Sequence, residues 1–126
     1  MDEGLLRRND DSGYPFLHAI NGPAEDDIYA AGSVNTGSGP VGALYHWNGA
    51  RWRRVEIPTA SWLTAIYVEN ADRIWLVGNK GALFVGNVRS GFTDLSQRGT
   101  AVLFHDLTIY EGTAYIGTNV GLARLD

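Results

Sequence analysis

Short apolar runs, each bounded by Gly, Asn or acidic residues, recur along the whole chain. Leu17-His18-Ala19-Ile20, Leu63-Thr64-Ala65-Ile66 and Phe104-His105-Asp106-Leu107 align with one another. A polar turn follows each, and then Ile28-Tyr29-Ala30-Ala31, Ile74-Trp75-Leu76-Val77 and Ala114-Tyr115-Ile116, with the aromatic at the same point every time. A third run opens on glycine at Gly42, Gly81 and Gly121, and a fourth covers Trp52–Val55 and Phe92–Leu95. Runs this short, rich in β-branched and aromatic residues, predict strands. No segment sustains a 3.6-residue apolar stripe, so the expected class is all-β. We label the four strands of a repeat a, b, c and d. The Asn48-Gly49 pair between c and d predicts a type I′ hairpin.

The phase of the repeat carries more. Residues 4–17 align without a gap on 50–63: Leu6 on Trp52, Arg7-Arg8 on Arg53-Arg54, Phe16 on Trp62. The expected order is therefore d-abc-d-abc-d-abc, one segment spanning 1–126 with repeats at about 4–49, 50–89 and 90–126. Four antiparallel strands recurring at ~40 residues predict β-propeller blades. Three blades cannot close a ring that typically needs four to eight. Either a second chain completes it head to tail, two chains giving six blades, or the missing blades lie elsewhere in a longer chain. The clean phase at both ends favours the homodimer.

The residues also carry a resemblance. Trp47-Asn48-Gly49 with Trp52, Leu63–Ile66, Asp72, Ile74–Gly78 and Gly81 resembles the Trp-rich repeats of bacterial surface and assembly-factor propellers. Ala114–Asn119 through Gly121–Asp126 resembles the propeller repeat of two-component regulators. Together they cover nearly the whole chain and imply blades, not an activity. The Ser-x-Asp-x-Gly-x-Thr-Trp box of sialidases and the Gly-His…Trp-Asp pair of WD repeats are missing.

Composition removes several functions. Hydrophobic residues are 44% and charged residues 19%, enough for a packed core. Fourteen acids against ten bases, net −4, oppose a nucleic-acid footprint. There is no cysteine, hence no disulfide or thiolate chemistry. No apolar run reaches the ~18 residues of a membrane span, Met1-Asp2-Glu3 opens no signal peptide, and the compartment is otherwise unmarked. Phosphate loops, nucleophile elbows and zinc-protease motifs are absent, so neither an enzyme nor a cofactor is expected. The acids of Glu25-Asp26-Asp27 and Asp10-Asp11 are expected to be solvated turn residues.

Strand alternation places the b–c and d–a loops on one face of the ring, where each innermost strand begins. Tyr29 to Leu44 spans 15 residues, against 8 for Trp75 to Leu83 and Tyr115 to Ala123. The seven extra residues, within Ser33–Pro40, predict a polar inserted loop on that face, with Asn35 and Thr36 as candidate ligand contacts. His18, Thr64 and His105 fall at equivalent positions beside the central channel. They are candidates for ligand binding or for hydrogen bonds between neighbouring strands. Two imidazoles and a Thr do not make a metal shell. Trp62, ahead of its a strand, is a candidate stacking platform, whereas Trp52 and Trp75 sit at packing positions. Arg51, Arg53 and Arg54 mark an outermost strand, where charge opposes edge-to-edge pairing. The expected partners are a second copy and an unidentified protein, with a carbohydrate as the alternative ligand.

Overall fold

A computed structural model describes residues 15–57, 59 and 61–125. Three antiparallel sheets follow one another along the chain. The first holds β1 (Pro15–Ala24), β2 (Asp27–Thr36), β3 (Gly39–Trp47) and β4 (Trp52–Val55) in sequential order. The second repeats this with β5 (Leu63–Asn70), β6 (Arg73–Gly78), β7 (Leu83–Asn87) and β8 (Gly91–Asp94). The third holds β9 (Phe104–Tyr110), β10 (Thr113–Thr118) and β11 (Gly121–Leu125). The strand expected around Leu6–Arg8 lies outside the described residues. Among those described there is no α-helix, only a 3₁₀ turn at Asn79–Gly81, and no helix long and apolar enough to cross a membrane.

The period-2 alternation decides which side chains meet. In the second sheet Ile66, Ile74, Leu76 and Phe84 face the first sheet, where they join Tyr29, Ala31, Leu44 and Ile57. On its other side Ala65, Trp75, Val77, Leu83 and Val85 join Phe104, Leu107, Ala114 and Ile116 of the third. Burying each large aliphatic side chain contributes about 1.5–3 kcal/mol. The first strands lie side by side, β1 against β5 and β5 against β9. Glycine permits a close approach here. A Cβ on Gly32 would sit 1.8 Å from the Phe16 carbonyl, and one on Gly78 1.9 Å from that of Trp62.

Two turns differ from expectation. Trp47 pairs with Trp52, so residues 48–51 form a four-residue connection, not a two-residue type I′ turn. The Asn48 side-chain oxygen there accepts the Ala50 and Arg51 amides, a local bond that competes with the tighter geometry. Positive φ at two successive positions occurs instead at Glu111 (50°) and Gly112 (83°), joining β9 to β10, and at Lys80 (54°) and Gly81 (72°), between β6 and β7. The insertion at 33–40 is not a loop either. It lengthens β2 and β3 into a paired hairpin closed by Gly37-Ser38, and Val34 is fully buried. A run able to pair with itself satisfies its backbone groups better as a ladder than as a loop.

Candidate functional site

The starts of β1, β5 and β9 share one end of the sheets with the β2–β3, β6–β7 and β10–β11 turns and the β4–β5 and β8–β9 connections. Every sheet carries the same irregularity at this end. Leu17 pairs with Gly32 and Ala19 with Ala31, leaving His18 unpaired. Leu63 pairs with Gly78 and Ala65 with Val77, leaving Thr64. Phe104 pairs with Thr118 and Asp106 with Gly117, leaving His105. The three residues aligned by the sequence repeat are thus the extra residues of three equivalent β-bulges. A bulge bends its strand and re-aims a side chain.

Their environments differ. The Thr64 hydroxyl hydrogen-bonds the Val77 carbonyl at 3.2 Å and the Phe104 carbonyl of β9. It ties the second sheet to the third. His18 and His105 are exposed.

The other expected contacts disperse. Trp62 precedes β5 and is 43% exposed, with its carbonyl accepting the Asn79 amide. Asn35 and Thr36 stand exposed at the tip of the lengthened hairpin. The Thr36 hydroxyl donates to the Gly39 carbonyl (2.7 Å) and accepts the Ser38 amide (3.1 Å). Thr118 does the same with Gly121 and Val120 at the β10–β11 turn, so this hydroxyl serves its turn. Trp75 packs in the core and donates its indole N–H to Glu69 at 2.8 Å, with the Arg73 guanidinium 5.2 Å from its ring. That indole bond is the main reason the Glu69 carboxyl is held below its ordinary pKa. Trp47 and Trp52 lie against each other across β3 and β4, centroids 5.7 Å apart, and Arg51, Arg53 and Arg54 beside them are exposed.

Two polar arrangements were not legible beforehand. His46 lies 2.6 Å from the Asp27 carboxylate and 4.7 Å, centroid to centroid, from Tyr29. The Tyr29 hydroxyl accepts the Val88 amide across the first seam, and burial pushes its pKa up. The second is a polar cavity of about 280 Å³ between the β4–β5 connection, the β6–β7 turn and the segment after β8. Its one advance signal was the chain's single lysine, Lys80, set next to Gly81 in a turn. Among the described residues no group of His, Cys, Asp and Glu is arranged to hold a metal ion. Compared with family models, with characterised proteins and with solved structures, the chain matches none.

Proposed function

We propose that the chain is a non-catalytic β-propeller module whose three sheets are successive blades, and that it associates head to tail so that two chains form a six-blade ring. The ring then offers the face carrying the bulges and connections to a protein partner. One observation supports this above others: among the described residues, the repeat has four strands in each of the first two sheets and three in the third. A Cβ on Gly42 would meet the Ser61 carbonyl at 2.2 Å, and one on Gly81 the Gln97 carbonyl at 2.7 Å, because the connection to the next sheet rests on each glycine. Gly121 holds the equivalent position in the third sheet, and no described atom lies within 4 Å of it. Among the described residues β11 likewise has β10 as its only strand neighbour. A fourth strand and connector from another copy fill that place in our reading. The apolar side chains left outside, Ile20 on the first sheet and Leu122 on the third, then become an interface.

The test is the native mass by light scattering on a size-exclusion column. We expect about 27 kDa, twice the 13.7 kDa of one chain. In Leu122→Asp we expect a shift to monomer, because a charge in a buried contact is costly. A stable, non-aggregating wild-type monomer overturns the ring and favours a piece of a larger propeller. The exposed Trp62 ring supports a second reading, a lectin-like module. Saturable glycan-array binding lost in Trp62→Ala establishes it, and a silent array removes it.

A further inference from the structure

We propose that the cavity between the β4–β5 connection, the Asn79–Gly81 turn and the segment following β8 is a binding site for a small molecule carrying a phosphate or sulfate monoester. Its volume, about 280 Å³, is at the small end for ligand pockets.

The walls are fixed in advance. Around the turn, Asn79 N donates to the Trp62 carbonyl (2.8 Å), Gly81 N to the Val102 carbonyl (2.8 Å), and Gln97 N to the Gly81 carbonyl (3.0 Å). Backbone bonds from both flanking connections therefore hold one three-residue turn. The glycine contacts already described set Ser61 against β3 and Gln97 against the Asn79–Gly81 turn. A ligand arriving here meets a framework that costs little to order.

Hydrogen-bond bookkeeping decides what such a ligand must be. The Thr59 hydroxyl oxygen accepts the Ser61 amide at 2.9 Å, and that of Thr100 accepts the Val102 amide at 3.1 Å. What each hydroxyl has left to offer outward is chiefly its proton. Asp94 is the carboxylate of the lining; its two oxygens accept the Ser96 amide (2.9 Å) and the Arg98 guanidinium (2.8 Å), and Arg98 offsets its charge. Lys80 brings donors and no acceptor, and among the described residues it forms no ion pair. The charged groups of the lining, Lys80 and Arg98 against Asp94, thus leave one positive charge beside two hydroxyls that already accept a backbone amide, inside a chain of net charge −4. Acceptor-rich anions match it. A compact ammonium with several hydroxyl donors suits a tetrahedral oxyanion.

Lys80 has φ 54° and ψ 39°, a left-handed conformation that favours glycine. A glycine at 80 would therefore fit this backbone without strain.

The site needs neither ring closure nor a second chain, so it stands or falls separately from the assembly. The experiment titrates the intact chain with glucose 6-phosphate, inorganic phosphate, inorganic sulfate and glucose, following amide shifts by NMR. We expect saturable shifts at Lys80, Gln97 and Thr100 with the oxyanions and none with glucose. Binding tighter for the sugar phosphate than for inorganic phosphate supports an ester ligand, and equal binding assigns the site to the free ion and overturns the ester. Lys80→Gly relieves the backbone and keeps the fold, and should weaken binding at least about tenfold, the loss expected for one charge-assisted hydrogen bond. Lys80→Arg should stay within a few-fold of wild type. No saturable shift with any oxyanion at ~10 mM, glucose binding as well as its phosphate, or unchanged binding in Lys80→Gly would each overturn the proposal.

Discussion

The second and third sheets are written in the same repeat, yet their side chains meet different fates. In the second, both faces are packed: Leu76 toward the first sheet and Val77 toward the third are each about fully buried. In the third, Ile116 is buried, whereas Leu122 on β11 is 75% exposed. Strand composition does not separate these sheets. Neighbours do, because a strand alternates its side chains without regard to what will cover them. Apolar residues on an uncovered face contribute nothing to the stability of the single chain and become available to another surface.

The contrast should be sharpest in core truncations. Leu76→Ala removes a side chain buried between the first and second sheets, and should cost about 2–5 kcal/mol in urea or thermal unfolding. Leu122→Ala should stay within about 0.5 kcal/mol in a monomeric background. Comparable losses at the two positions would mean that the outer face of the third sheet is covered within the chain itself. Glycine substitutions give a smaller effect of the same kind. Gly78→Ala drives a methyl group into the Trp62 carbonyl and should cost about 1–3 kcal/mol. Gly117→Ala on β10 meets no described atom within 4 Å and should be within about 0.5 kcal/mol of neutral. A destabilised Gly117→Ala would reveal a neighbour on that sheet.

The smallest effect concerns the end of the second sheet. The Ser96 hydroxyl and amide, with Arg98, hold the Asp94 carboxyl below its ordinary pKa. A depressed carboxylate stabilises the fold above its unfolded pKa of about 4, and loses that contribution as pH falls through the lowered folded value. Asp94→Asn should therefore lie below wild type by up to about 1 kcal/mol at neutral pH and converge with it in acid. Unfolding midpoints measured across this range check it, and a gap that widens on acidification would show the sign to be wrong.

Much of the architecture was legible before any coordinates. The three aligned sets of apolar runs became β1, β5 and β9, then β2, β6 and β10, and the glycine-led runs became β3, β7 and β11. The equivalence of His18, Thr64 and His105 also held, as one bulge position in three registers. What those residues touch was not legible. Thr64 bonds across to β9, a contact spanning forty residues of sequence, while His18 and His105 face outward. The 33–40 segment misled because glycine and small polar residues resemble a loop locally. Its pairing across Gly37-Ser38 keeps it in the sheet. The cavity beside Lys80 was invisible for a similar reason, since Thr59, Lys80 and Thr100 lie about twenty residues apart in sequence.

The sequence by itself determined the all-β class and, among the described residues, the order and approximate place of the strands, because side-chain alternation and turn chemistry act over a few neighbouring residues. Only the tertiary structure decided which faces are covered, which bulge residue ties two sheets together, and which distant residues line one cavity. Those outcomes depend on the packing of one sheet against the next, and such contacts leave no local pattern in the chain.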